Sequence, residues 1–310
     1  MAQRFPSVAL LGATGNLGPS ILDALLSAEP PFESITILTR STPSSSTTYP
    51  PNVHIKVVDY TSVESLTSAL TGVDAVISAV APRSGAAQRN TIDAAAAAGV
   101  KFFIPSEFGL ASNDANLTHD FNQWAPKVAD QQKLAALKAD GVMDYALIFT
   151  GLFLDWGMEG FLLDLKNKSV QLWDGGNTPI SLTTVASIGR AVVGVLQGEV
   201  GTDGKKTEVR VKDINLTQRR LYELAVEALG EGEDGWTVTE YDTVQAYDTA
   251  KENAKKGIPD REYAFLKRAV AAGVYGSVWG EDEDDGEALG SREWTEREVV
   301  ELIKTLGGAQ

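Results

Sequence analysis

The sequence predicts an α/β fold, a doubly wound parallel sheet followed by a smaller C-terminal α/β unit. Three observations predict it. A buried apolar run, Val8 to Leu11, meets a turn carrying Gly12, Gly15 and Gly18, and an apolar pattern of helical spacing follows to Leu22. Strand signals punctuated by helical ones then continue as far as Gly151. Beyond Gly151 the rhythm becomes irregular. Parallel strands need crossovers, and those crossovers are right-handed, so the first part is read as a Rossmann-type sheet.

The elements follow in order. "SVALLG" is a buried strand and "GPSILDALLSA" the helix after the glycines. "SITILTR" (Ser34 to Arg40) is a β-branched second strand, and "TPSSSTTYPPN" a polar loop. "VHIKVVD" is the third strand and "SVESLTSALTG" a helix. "DAVISAV" is the fourth strand; the Ala-rich helix "AAQRNTIDAAAAAG" ends at Gly99, placed as a left-handed cap. "VKFFIP" is the fifth strand, "APKVADQQKLAALKADG" a helix and "DYALIFTG" (Asp144 to Gly151) the sixth strand. Further on, "TVASIGRAVVGVLQG", "TQRRLYELAVEALG", "TVQAYDTAKENAKKG", "DREYAFLKRAVAAG" and "TEREVVELIKTLG" are helical, while "VQLWDGGNTPISLT", "KTEVRVK" and "WTVTEYD" supply strands. The division expected is a dinucleotide domain over 1–155 and a smaller, partly interleaved substrate-binding domain over 156–310.

Composition narrows the function. The chain of 310 residues carries a formal net charge of −15, which repels nucleic acid and anionic membrane. With no cysteine and only His54 and His119, thiolate chemistry, disulfides and multi-histidine metal sites are excluded. No metal is expected. No apolar run reaches the length of a membrane span. A soluble, cytoplasmic protein acting on a small molecule is the expectation. The acidic run "GEDEDDGE" reads as a solvated loop.

The glycine turn selects a dinucleotide. Gly12 turns the chain off the strand, Gly15 removes a Cβ where backbone meets pyrophosphate, and Gly18 allows close packing. Thr14, Asn16 and Leu17 complete the turn before a helix N-terminus that favours anions. NAD-selective domains place an acid at the end of the second strand; here Arg40 stands there, so NADP(H) is favoured over NAD(H). Asp59 and Tyr60 close the third strand near the adenine. Ser78, Ala79, Val80 and Ala81 close the fourth beside the ribose.

The usual Tyr-x-x-x-Lys pair is missing. Gln123 stands four positions before Lys127, and Ala129 four before Lys133. The remaining candidates are the lysines on the helix before the sixth strand: Lys127, Lys133 and Lys138.

At these residues a resemblance emerges. "GATGNLG", Leu38-Thr39-Arg40, "AGVKFFIPSEFG", "KVADQQKL", "TGLFLDWG" and "WDGGNTPIS" together resemble the NmrA-like and isoflavone-reductase-like group of atypical short-chain dehydrogenases/reductases, closest to its fungal branch. The resemblance implies NADPH-dependent reduction of phenylpropanoid-type or related aromatic substrates. It implies a catalytic lysine at Lys127, with Lys133 as the alternative. It also implies that Ser106, Thr150 and Gly151 border the cofactor. Two departures stand out: the loop after the second strand lacks a lysine, and the segment Leu110 to Trp124 differs from the plant pattern. His119 in that segment is a candidate proton relay. Phe108, Phe153 and Trp156 are candidates for the substrate pocket, and Asp155 for a local cap. The group also includes cofactor-sensing regulators that act on a partner protein, so a non-catalytic sensor is the alternative; an isomerase or lyase is a third.

Overall fold

A computed structural model describes residues 5–41, 49–81, 86–114, 117, 124–198, 206–230, 232–273 and 276–308. Its centre is a six-stranded parallel sheet in the order β3-β2-β1-β4-β5-β6. The strands are β1 (Ser7–Leu11), β2 (Ser34–Thr39), β3 (Val53–Val57), β4 (Ala75–Ser78), β5 (Phe102–Ile104) and β6 (Asp144–Tyr145). β1 pairs with β2 on one side and β4 on the other, so chain order reverses there.

Alternation along β1 builds two cores. Val8 and Leu10 face one hydrophobic cluster, Ala9 and Leu11 the other. Both faces are therefore covered, which is why the central strands are apolar throughout rather than alternating. Helix α1 (Gly18–Leu26) covers the first face; α2 (Val63–Leu70), α3 (Ala87–Ala98) and α4 (Ala125–Ala139) cover the second. Gly99 ends α3 at φ 77°, as its sequence position implied.

The sixth strand is interrupted. The continuous run Asp144 to Gly151 divides at Ala146 into β6, paired with β5, and β7 (Leu147–Phe149), paired with β11 (Glu208–Arg210). β8 (Leu152–Phe153) then starts a second sheet with β10 (Pro179–Thr183) and β12 (Ile214–Thr217). A short helix α5 (Leu154–Gly157) and strand β9 (Ser169–Trp173) come between. After β10 the chain returns: α6 (Val185–Gln197) packs on α1, with Gly189 so close to Ser20 that a Cβ would overlap its carbonyl. Residues far beyond 155 thus pair with β7 and supply part of the first sheet's cover.

The rest surrounds a third core with α7 (Gln218–Leu229), β13 (Thr237–Tyr241), α8 (Thr243–Lys255), α9 (Ala264–Ala272) and α10 (Glu296–Gly308). Two expectations need correction. The helix expected from Asp260 begins at Ala264, because the Asp260 carboxylate accepts the N–H groups of Glu262, Ala264 and Phe265 and holds the preceding turn. The acidic run is not simply a solvated loop. Asp284 accepts the Lys212 and Gly286 N–H groups and lies 3.5 Å from the buried Lys212 ammonium, while Asp285 accepts the Arg210 N–H. Burial pushes the Asp284 carboxyl up, against the pull of Gly286 and Lys212.

Candidate functional site

The glycine turn sits at the sheet's switch point, where doubly wound folds form their ligand crevice. Gly12 has φ 81°, and a Cβ there would overlap the Ala79 carbonyl at the end of β4. A Cβ on Gly18 would overlap the Gly12 carbonyl, so this glycine packs the turn against itself rather than against the sheet. Gly15 differs. Its N–H bonds the Gly12 carbonyl at 2.9 Å, and an added Cβ would meet only backbone oxygens at 3.3 and 3.8 Å. Thr14, Gly15 and Asn16 are exposed, whereas Leu17 is buried. α1 starts without a side-chain cap, while α2, α6 and α7 are capped by Ser62, Thr184 and Thr217. Its first N–H groups are suited to an anion.

Arg40 is exposed just past β2, and the half-buried Tyr60 lies beside it. The Tyr60 hydroxyl donates to the Leu38 carbonyl at 2.8 Å. Burial pushes this phenol up, opposed by the Arg40 charge and the Gly12 N–H. Tyr60 therefore links the ends of β1 and β2 at the crevice wall. The Asp59 carboxylate turns into its own loop, accepting the Thr61 N–H and hydroxyl at 2.8 Å each. The segment 42–48, where the missing lysine was noted, lies outside the described residues.

The far wall comes from β4 and β5. Ser78 is buried and its hydroxyl has no partner among the described residues; Ala79 is half-buried, Val80 buried and Ala81 exposed. The Ser106 hydroxyl, after β5, donates to the Val80 carbonyl at 2.8 Å, and the Ser106 N–H donates to Gln88 Oε1. Thr150 is buried, with an unpartnered hydroxyl among the described residues. Gly151, at φ 63°, lies against β10, where a Cβ would overlap the Ser181 carbonyl. It joins the two sheets.

The three lysines of α4 diverge. The Lys127 ammonium donates to the Glu107 carbonyl at 2.7 Å and lies 3.4 Å from the Glu107 carboxylate. Lys133 pairs with Asp93 of α3, and Lys138 with Asp144. Lys127 alone among them reaches the "PSEFG" segment beside the crevice. Glu107, missed by sequence reasoning, is 3% exposed and also accepts the Gln131 amide. Its signal was present: Lys127 and Gln131 are four apart on one helical face.

The aromatic candidates separate too. Phe108 is buried in the first core at φ 30°, its N–H bonded to the Ile148 carbonyl. Phe153 meets Trp156 edge-on at 6.3 Å; Trp156 stacks on Phe161, and Phe161 meets Tyr263 at 5.7 Å. These four form a partly exposed aromatic wall. The Asp155 carboxylate accepts the Trp156 N–H of its own short helix and the Val185 N–H at the start of α6, beside the Thr184 cap, and burial pushes it up. His119 lies outside the described residues. Among the described residues no group of three or more His, Asp or Glu could hold a metal, and no helix is long and apolar enough to cross a membrane.

A family model described as the NmrA-like family matches residues 6–218. Oxidoreductase poxI of Penicillium oxalicum is 38% identical over 218 residues, covering 68% of this chain. The match spans 66% of that relative, just under two thirds of its length. Among solved structures, NADPH-dependent quinone oxidoreductase of Escherichia coli complexed with NADPH superposes at TM-score 0.64 and 21% identity, over 95% of this chain and 98% of its own. AtPrR2 with NADP+ and (+)pinoresinol superposes at TM-score 0.73 and 18% identity, over 99% and 100%.

Proposed function

The chain belongs to the NmrA-like family, and from that premise we propose that it is an NADP(H)-dependent reductase of a small aromatic acceptor, with Lys127 as the proton-bearing group. One observation carries the reading. Ser106 bonds the Val80 carbonyl at the crevice, and the next residue, Glu107, holds Lys127. Gly12 packs on Ala79, next to Val80, so this chain of contacts supports reading the glycine turn and the charged donor as parts of one site.

The residues present fit the dinucleotide. Gly15 is exposed, its missing Cβ facing only backbone oxygens at 3.3 and 3.8 Å, the α1 N-terminus has no side-chain cap, and Arg40 occupies the place of the acid that would select NAD(H). Asn16 and Leu17 would hold the pyrophosphate with backbone N–H groups, while Gly12 and Gly15, whose N–H groups face Tyr60 and the Gly12 carbonyl, keep the turn tight. Arg40 would pair with the 2′-phosphate as a planar fork. Ser78 to Ala81, Ser106 and Thr150 would border the ribose and nicotinamide. When bound, NADPH supplies a hydride.

The chain's own groups do the rest. Lys127 holds a proton at Nζ for the oxygen of the acceptor, or anchors the ribose hydroxyls. Trp156, Phe161 and Tyr263 offer flat apolar faces that orient an aromatic ring and exclude water. The oxidoreductase naming of the 38%-identical relative supports the reaction class, and the NADPH and NADP+ complexes of the structural neighbours support the cofactor.

The test is NADPH oxidation by purified protein against a panel of quinones, aromatic enones and benzylic ethers. Turnover of at least one acceptor, lowered roughly a hundredfold or more but still measurable in Lys127→Met, is the expected result. Tight NADPH binding with no oxidation across the panel would instead favour the sensor.

A further inference from the structure

We propose that Glu107 is the positioning residue for Lys127, a buried carboxylate that pins and orients the ammonium at the cleft. This rests on the reductase reading only where turnover is measured. A buried carboxylate is costly unless its oxygens are satisfied. Here Gln131 donates to Oε1 at 3.0 Å, Ser112 donates to Oε2, and Lys127 approaches Oε2. Gln131 also bonds Ser112 at 2.8 Å, and both are buried, so the acceptor group is fixed on two sides.

The consequence falls on Lys127. A lysine is a compact charge on a flexible stem with three donors. One donates to the Glu107 carbonyl oxygen, and the ammonium lies 3.4 Å from the Glu107 carboxylate as an ion pair. The remaining donor capacity is available to a ligand. Ser112 and Gln131 use one carboxylate oxygen each, and the charge they fix faces the Lys127 ammonium. The buried negative charge matches the one ammonium that reaches it. Ser106 ties the same backbone to Val80, so the lysine's anchor is built into the crevice edge.

The experiment uses Glu107→Gln and Glu107→Asp in the full chain, each alone and with Lys127→Met. Lysine accessibility is read by reductive methylation with formaldehyde and cyanoborohydride, followed by peptide mass spectrometry. The exposed Lys101 serves as internal reference. Glu107→Gln is expected to raise Lys127 methylation several-fold relative to Lys101. It should lower kcat by roughly ten- to a hundredfold, with the KM for NADPH nearly unchanged. Glu107→Asp should recover part of the loss, and Glu107→Gln should cost nothing further beside Lys127→Met. Unchanged methylation, or a kcat loss of equal size in the Lys127→Met background, overturns the proposal. If the wild type reduces no acceptor, the reductase reading fails and methylation still decides the role of Glu107. If Glu107→Gln unfolds the protein, Ser112→Ala with Gln131→Met leaves the carboxylate unpinned. That pair must then raise methylation, or the proposal falls.

Discussion

Gly12 lies so close to Ala79 that any Cβ on it would overlap the Ala79 carbonyl group, which closes the switch point between β1 and β4. Gly15, three residues on, has no such neighbour. The two glycines therefore separate folding from binding. Gly12→Ala meets both a left-handed φ and the overlap, and should cost about 3 kcal/mol, read by urea unfolding. Gly15→Ala should keep a wild-type melting midpoint and lose NADPH affinity in a calorimetric titration. A Gly15→Ala protein that binds NADPH as the wild type does would remove the turn from the site.

On the proposed reading Arg40 is the selectivity element. A hydrogen bond to a charged group is worth about 1.5–3 kcal/mol. Arg40→Ala should thus weaken NADPH binding by roughly ten- to a hundredfold and leave NADH binding nearly unchanged. Equal losses for both cofactors would place the phosphate elsewhere.

The aromatic wall should distinguish acceptors by shape. Trp156→Ala removes the ring stacked on Phe161. The KM for an aromatic quinone should rise between about three- and tenfold, with that for a small aliphatic acceptor hardly moved. A uniform change across acceptors would assign Trp156 to packing alone.

Acid sensitivity should be legible at α10. Arg292 and the Thr295 N–H, both bonded to Glu298, pull its carboxyl down to about 2. A carboxylate depressed in the fold stabilises it above its unfolded pKa, and that stability is lost as pH falls through the folded value. The contribution is therefore complete above about 4.5 and disappears toward about 2. Melting midpoints of wild type and Glu298→Gln should differ at pH 6 and converge near pH 2; a constant gap would contradict the assignment.

Lys212 is buried and shared between Asp284 and Glu293. Lys212→Ala leaves the half-buried Asp284 carboxylate without its cation. Loss of about 3 kcal/mol in urea unfolding is expected. A near-neutral result would mean that water already serves Asp284.

Much of the fold was legible because it is local. Apolar runs such as "VALL" and "AVIS", spaced by helical patterns, dictate buried parallel strands and crossovers. The glycine triplet marks the turn between a strand and a helix. The interruption at Ala146 was not legible. Its cause is a pairing partner, β11, that lies some sixty residues downstream. Nor was the anchoring of Asp284 and Asp285, since the charge run gives no sign that a buried lysine faces it.

The candidate site divides along the same line. By itself the sequence determined the phosphate turn, the absence of Tyr-x-x-x-Lys, and Arg40 where an acid would select NAD(H), all properties of neighbouring positions along the chain. The tertiary structure alone decided which lysine meets the "PSEFG" segment. Lys127, Lys133 and Lys138 share one helix, and periodicity places them on faces without saying what covers each face. Asp93 and Asp144 cover the faces of Lys133 and Lys138, while Glu107, held by Gln131 of α4 and by Ser112, covers that of Lys127.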